Sequence, residues 1–322
     1  MLDSGSFYSD TVSMSDGSTR YYHYDVAGLI LRSALELPGY WPAEPGVRDA
    51  DVEIRIGQAR VPPGPYGYRA DGLAITATEC FFHVADVADF LVSNGRQIVV
   101  QPHGAVPDRN LRSFTMGTAF GLICHQRGDL PLHASCVRAG EGAACFIGDS
   151  GAGKSTIAAT LNTYGYDVLS DDIAVIRFDE HQVPFVSPSG TKIKLWHDAL
   201  EALSIPTEGL ERDFMRVDKY HLTVEGDAHR LPVPLKSVFL LSNHDSSSPL
   251  ITPLHGVTAV ASINENIYRY PYGKAMGLEQ RLFSSSARIA NYASVFQLKR
   301  ARNHLHEPVI HLLTRYLRGQ TT

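Results

Sequence analysis

Gly148-Asp149-Ser150-Gly151-Ala152-Gly153-Lys154-Ser155-Thr156 matches G-x-x-x-x-G-K-[ST] at every fixed position. These residue types suit phosphate. Glycines let successive backbone N–H groups turn inward, and a helix beginning at the end of the loop adds positive potential. On this pattern the loop from Gly148 to Thr156 would cradle a triphosphate. Lys154 would reach the β- and γ-phosphates, and the Ser155 hydroxyl would join a Mg²⁺ shell. Downstream stand two adjacent carboxylates, Asp171 and Asp172. Phosphoryl transfer needs a phosphate cradle, a metal held by carboxylate or hydroxyl, and a group that positions or deprotonates the acceptor. A paired Asp-Asp can divide that work, one carboxylate toward the metal and the other toward the acceptor hydroxyl.

The flanks of the loop are those the motif requires. Ala143 to Ile147 reads as a buried strand, and Ser155 to Tyr164 as a helix with Ile157, Ala158, Leu161 and Tyr164 near one face. Gly128 to Val137 is a turn running into a strand, which a short Glu141-Gly142 turn joins to the loop strand as a hairpin. His133 is thereby carried to an end of the sheet. Asp167 to Ile176 reads as a strand interrupted by the carboxylate pair, early for a carboxylate on the metal. Lys192-Ile193-Lys194-Leu195-Trp196 follows and opens a helix at about His197. Arg216 to Leu222 and Pro234 to Leu241 read as strands, Ser242 to Pro249 as a polar loop, and Phe114 to Arg127 as a helix. The last third reads as helical, with Leu305, Val309, Leu312, Leu313, Tyr316 and Leu317 at helix period. In front of all this, Met1 to Thr19 reads as a loose terminus. Arg20 to Gln101 reads as short strands between turns, with Val52 to Gly57 alternating apolar and charged residues.

The composition narrows the class. With 322 residues, 44% hydrophobic and 20% charged, the chain has the make-up of an ordinary folded protein. A net charge of -5 argues against a general nucleic-acid partner. No apolar run approaches the ~18 residues of a membrane span, and the first residues lack a basic-then-apolar leader pattern. Cys80, Cys124, Cys136 and Cys145 show no C-x-x-C spacing and mostly lie in apolar runs, which reads as reduced buried thiols in a cytoplasmic protein.

From Leu132-His133-Ala134-Ser135 through the glycine-rich loop to Leu169-Ser170-Asp171-Asp172, the chain resembles the C-terminal domain of the HPr kinase/phosphorylase family. It is more closely similar to HPr-kinase-like proteins of lasso-peptide gene clusters, through Arg127 to His133, Lys192 to Trp196 and Asp51 to Arg55. Such proteins phosphorylate a terminal serine of a precursor peptide. The resemblance implies that Asp171 is the base toward the acceptor serine and that Asp172 helps Ser155 hold Mg²⁺. His133 would stand beside them, tuning the base, contacting phosphate or serving structure alone. HPr kinases place a metal-binding glutamate where Lys192 and Lys194 stand here. Two cations cannot ligate Mg²⁺, but they could neutralise charge on the transferring phosphate or grip a peptide's terminal carboxylate. Arg216 and Lys219 are further candidates for the phosphate or peptide site. Tyr268 to Lys274, mixing aromatics and cations, could dock a peptide or be a packed loop.

The expected fold is α/β: an HPr-kinase-like P-loop nucleotide-binding core with an N-terminal β-rich module and C-terminal helices. Residues 1–105 would form the module, a candidate for substrate docking, and residues 106–322 the kinase domain. The expected activity is ATP- and Mg²⁺-dependent phosphorylation of a serine hydroxyl on a precursor peptide or small protein, with no nucleic-acid or membrane partner. A small-molecule kinase acting on free serine or a sugar, and a non-catalytic nucleotide-binding regulator, remain the alternatives. Oligomeric state is open.

Overall fold

From Arg20 to Pro102 short apolar runs, some alternating with polar residues as in Val52–Ile56, form strands. A computed structural model describes residues 20–44, 46, 48–190, 192–214, 218–224, 230–243, 248–300 and 307–319. The terminus expected to be loose and Arg216 lie outside these residues. The first nine strands are β1 (Tyr22–Val26), β2 (Leu29–Ser33), β3 (Trp41–Pro42), β4 (Val52–Ile56), β5 (Tyr68–Ala70), β6 (Leu73–Ile75), β7 (Glu79–Val84), β8 (Ala88–Ser93) and β9 (Gln97–Pro102). They make one sheet in the order β3-β1-β2-β4-β9-β8-β7-β6-β5.

Against the inner face of this sheet lies a helical layer, α1 (Asp108–Phe114), a π-helical turn (Thr115–Ala119) and α2 (Phe120–Arg127). Leu111, Phe120, Leu122 and Ile123 bury against Val26, Leu31, Ile54 and Phe90. The single helix expected from Phe114 is thus longer and broken in register. Within the break, Thr115 turns its hydroxyl back onto the Leu111 carbonyl at 2.7 Å. Turns of this kind recur beside functional sites, and this one lines the cleft described below.

The remaining strands are β10 (Leu130–Leu132), β11 (Ala134–Ala139), β12 (Gly142–Ile147), β13 (Val168–Ser170), β14 (Ala174–Phe178), β15 (Pro184–Ser187), β16 (Lys192–Trp196), β17 (Glu211–Arg212), β18 (Lys219–Thr223), β19 (Val233–Asn243), β20 (Leu250–Leu254) and β21 (Ser294–Arg300). The helices are α3 (Lys154–Thr163), α4 (His197–Ala202), α5 (Gly256–Glu265), α6 (Tyr270–Ala275), α7 (Glu279–Tyr292) and α8 (Glu307–Leu317). The second sheet runs β10-β14-β15-β19-β12-β11-β13, with β21 on β19 and β20 on β21. β12, β19 and β21 are parallel; β11 and β12 are the expected hairpin. Both faces of β12 are covered, so it reads as a continuous apolar run rather than an alternation. Ala143, Cys145 and Ile147 pack toward α5 and α7, while Ala144 and Phe146 pack toward α3 and α8. Architecture is therefore mixed α/β.

Three expectations need correction. Asp167 to Ile176 is two strands, with the carboxylates in the turn between them: β13 pairs with β11 and β14 with β10 and β15. The C-terminal third is not wholly helical, because β20 and β21 extend the second sheet. Short strands set between helices carry too few residues for their alternation to stand out. Finally, Cys136 and Cys145 are disulfide-bonded, not free; they face each other across β11 and β12 with Cα atoms 4.3 Å apart. Sequence spacing of nine carries no sign of that register. Cys80 and Cys124 are free and buried. Among the described residues, no helix is long and apolar enough to cross a membrane.

Candidate active site

The loop leaves β12 and enters α3 through three glycines with positive φ: Gly148 at 139°, Gly151 at 85° and Gly153 at 87°. Space as well as φ demands glycine at the first, and at the last a side chain would have to displace a guanidinium. A Cβ on Gly148 would lie 2.9 Å from the Leu241 carbonyl oxygen, and one on Gly153 would lie 2.3 Å from Arg300 Nη2. That guanidinium donates to the Ala152 carbonyl at 2.6 Å, and Asn266 accepts from the Gly148 N–H at 2.8 Å. Two distant elements therefore hold the loop in shape. Gly153, the residue before α3, gives the helix no side-chain cap, so the first-turn N–H groups of α3 have the arrangement that favours an anion. Lys154 Nζ donates to the carbonyls of Gly148 at 2.7 Å and Asp149 at 3.0 Å. Burial pulls its ammonium down to about 8 against the opposing pull of Asp171 and Asp172.

The two carboxylates face different ways. Asp171 Oδ1 accepts from Ser155 Oγ at 2.8 Å and from Ser135 Oγ at 2.5 Å, and Oδ2 accepts from the Lys194 backbone N–H at 2.8 Å. Asp172 has a left-handed φ of 70°, costly for a residue with a Cβ and typical of places where function over-determines the backbone. That conformation aims its carboxylate at Lys194 Nζ, 3.2 Å away, and at His133 Nδ1, 3.4 Å away. His133 Nδ1 also lies 3.1 Å from the Asp172 carbonyl oxygen. Burial acts to raise the Asp172 carboxyl, but the charges of Lys194, His133 and Lys219 outweigh it and hold the group well below the usual carboxylate range. Lys194, although half-buried, is held above the ordinary lysine range by Asp172 and Asp213. His133 is pushed down by burial and by Lys154, against the opposing pull of Asp172.

Lys192, Lys194 and Trp196 share one face of β16, while Ile193 and Leu195 bury behind it. A small antiparallel sheet, β16-β18-β17, supports this face, with Lys194 opposite His221 and Trp196 opposite Lys219. Lys194 and Lys219 thereby reach the loop side of the site, where Lys219 lines the same pocket as Ser150, Gly151, Gly153, Lys154, Ser155 and Thr156. The Lys192 ammonium lies 3.2 Å from Glu211, and the residue lines a cavity of about 70 Å³ together with Asp171, Asp172, Lys194, Tyr40 and His221. On the other side an open cleft of about 550 Å³ runs from Gly148, Asp149 and His133 past Lys194 and Lys219 to Tyr268 and Arg269.

Ser155 donates directly to Asp171, the carboxylate that the resemblance makes the base. Several members of the site were not anticipated. Ser135 lies on β11, two residues beyond His133, which sits in the bend between β10 and β11. Asn266, Arg300 and Asp213 come from remote elements, and no spacing announces them. A hydroxyl and a carboxylate, Ser155 and Asp171, are hard oxygen donors of the kind Mg²⁺ takes, and the loop's uncapped helix end and its lysine suit a phosphate chain.

No family model matches the sequence, and no curated protein matches it. Among solved structures the chain is similar to the Hpr(Ser) kinase/phosphatase from Coxiella burnetii, at 12% identity over 59% of this chain and 88% of that one, with a TM-score of 0.31. So low a score says nothing of chemistry.

Proposed function

We propose that this protein is an ATP- and Mg²⁺-dependent kinase whose acceptor is a serine hydroxyl, the C-terminal serine of a lasso-type precursor peptide. The observation that carries this reading is the division of the carboxylates. Asp171 is bound to the Ser155 hydroxyl beside the loop, and its neighbour Asp172 faces the cleft with His133 and Lys194.

Residues Gly148 to Thr156 would hold the triphosphate, with Lys154 Nζ exchanging the carbonyls of Gly148 and Asp149 for phosphate oxygens. Ser155 and Asp171 would hold Mg²⁺, which when bound neutralises phosphate charge. Asp172 orients the acceptor hydroxyl and, with His133 alongside, takes up its proton. Lys194 keeps Asp172 ionised and sets positive charge beside the transferring group. This assigns the metal to Asp171 and the acceptor to Asp172, the reverse of the roles that the resemblance implies. Lys194, Lys219 and Arg269 line the cleft and favour an acceptor that ends in a carboxylate, as a chain terminus does. The cavity lined by Tyr40, Lys192 and His221 supports a second reading, a small-molecule acceptor such as free serine or a sugar.

The test is mass spectrometry of a lasso-type precursor peptide ending in serine, incubated with the protein, ATP and Mg²⁺, beside the same peptide ending in alanine. One phosphate on the serine peptide alone is expected. Asp172→Asn should abolish transfer and keep nucleotide binding, while Asp171→Asn should weaken the Mg²⁺-dependent part of that binding. Bound ATP with no phosphate on either peptide would overturn the peptide reading, in favour of a small acceptor or a nucleotide sensor.

A further inference from the structure

His83, Asp89 and His103 converge on one point of the first sheet, away from the glycine-rich loop in sequence and on a different sheet. His83 on β7 and Asp89 on β8 are direct cross-strand partners, so their side chains leave the same face. His103 follows β9, and its backbone N–H donates to the Val87 carbonyl at 2.9 Å. That bond fixes it beside the connection between β7 and β8. A single carboxylate oxygen receives both rings: Asp89 Oδ1 is 2.7 Å from His83 Nδ1 and 3.3 Å from His103 Nε2. Among the described residues, these two imidazoles are the only ion-pair partners of Asp89.

We propose that these three residues form a zinc site. Their ligand atoms all lie within 4.8 Å of one another. Donors about 2.0–2.2 Å from a tetrahedral zinc stand about 3.3–3.6 Å apart, so small side-chain rotations bring all three to bonding distance. Two imidazoles and one carboxylate are a borderline donor set that suits zinc over Mg²⁺ or Ca²⁺. The support is rigid, because two ligands sit on paired strands and the third is tied to them by a backbone bond. Gly72 makes room for the His83 side chain: its carbonyl accepts from the His83 N–H at 2.8 Å, and a Cβ there would lie 3.2 Å from the His83 Cβ. The His83 side chain is 46% exposed, which leaves the fourth position open to water. Such an ion would tie three segments of the sheet together at one end.

The experiment is zinc titration of the chelator-stripped full chain against a chromophoric competitor, in wild type, Asp171→Asn, and the triple variant His83→Gln, Asp89→Asn, His103→Gln. Loss of even an outer partner of a metal ligand weakens binding about 10- to 100-fold, so removal of all three ligands should erase one zinc equivalent. Asp171→Asn should keep that equivalent. X-ray absorption on the wild-type zinc protein should show nitrogen and oxygen neighbours at about 2.0–2.2 Å and no sulfur at about 2.3 Å; this reading stands even if the triple variant folds poorly. Equal zinc uptake by wild type and a folded triple variant, no uptake by wild type, or a sulfur shell would each overturn the proposal.

Discussion

Lys154 shows how burial prepares a side chain for its ligand. Its ammonium lies near 8 in the free protein because burial penalises the charge, and an anion bound beside it would raise that value. Binding of ATP should therefore take up a proton near pH 8, and affinity should fall as pH rises through about 8. Calorimetry in buffers of different ionisation enthalpy reads this directly; a pH-independent affinity between pH 7 and 9 would refute it. Asp172 and Lys194 make a second residue-scale prediction. Both are partly buried, so breaking the pair should cost less than the ~3–5 kcal/mol of a fully buried one, about 1–3 kcal/mol. Lys194→Met should show that loss in urea denaturation at pH 7. Because the Asp172 carboxyl is depressed in the folded state, its contribution is present above the ordinary carboxylate range and fades as pH falls below it. Wild type and variant should therefore converge in stability toward acid.

At the scale of elements, period and register decide which side chains meet. The alternation in β16 sends Lys192 and Lys194 to one face, yet only the pairing with β18 and β17 separates their partners, Glu211 for one and Asp172 with Asp213 for the other. Helix α2 sets the wall of the cleft by a close approach. A Cβ on Gly121 would lie 2.7 Å from the Tyr268 ring, so a larger residue must push the tyrosine, and the cleft wall with it. Gly121→Leu should lose about 1–3 kcal/mol by overpacking and weaken peptide acceptance more than nucleotide binding. An unchanged urea midpoint would show that the ring yields freely. In the Tyr268 to Lys274 segment, read from sequence as either a peptide dock or a packed loop, Tyr268 and Arg269 line the cleft while Gly273 lies close to His125 and Leu282.

At the scale of the whole molecule, two sheets, each of nine strands among the described residues, meet across the α1–α2 layer, and the site lies where the loop after β12 and the turn after β13 face that layer. The disulfide between Cys136 and Cys145 staples the hairpin that carries the loop. Unfolded without reductant, the purified chain should alkylate at Cys80 and Cys124 only, and after reduction at all four cysteines. Peptide mapping by mass spectrometry distinguishes the two states. Four alkylated cysteines in the unreduced protein would restore the reading of free thiols.

Sequence alone was sufficient for the strand–loop–helix unit from Ala143 to Thr163, the β11–β12 hairpin, the carboxylate pair after the helix and the strand-rich front of the chain. Each is written in local spacing: glycines where φ must be positive, apolar runs at a period of two or 3.6, and charge at a turn. Tertiary structure alone decided which carboxylate faces Ser155, that Lys192 pairs with Glu211 and Lys194 with Asp172, that Arg300 and Asn266 hold the loop, and that Cys136 opposes Cys145. Those facts depend on contacts between residues far apart in sequence or on strand register, and neither leaves a local periodic trace for a single sequence to display.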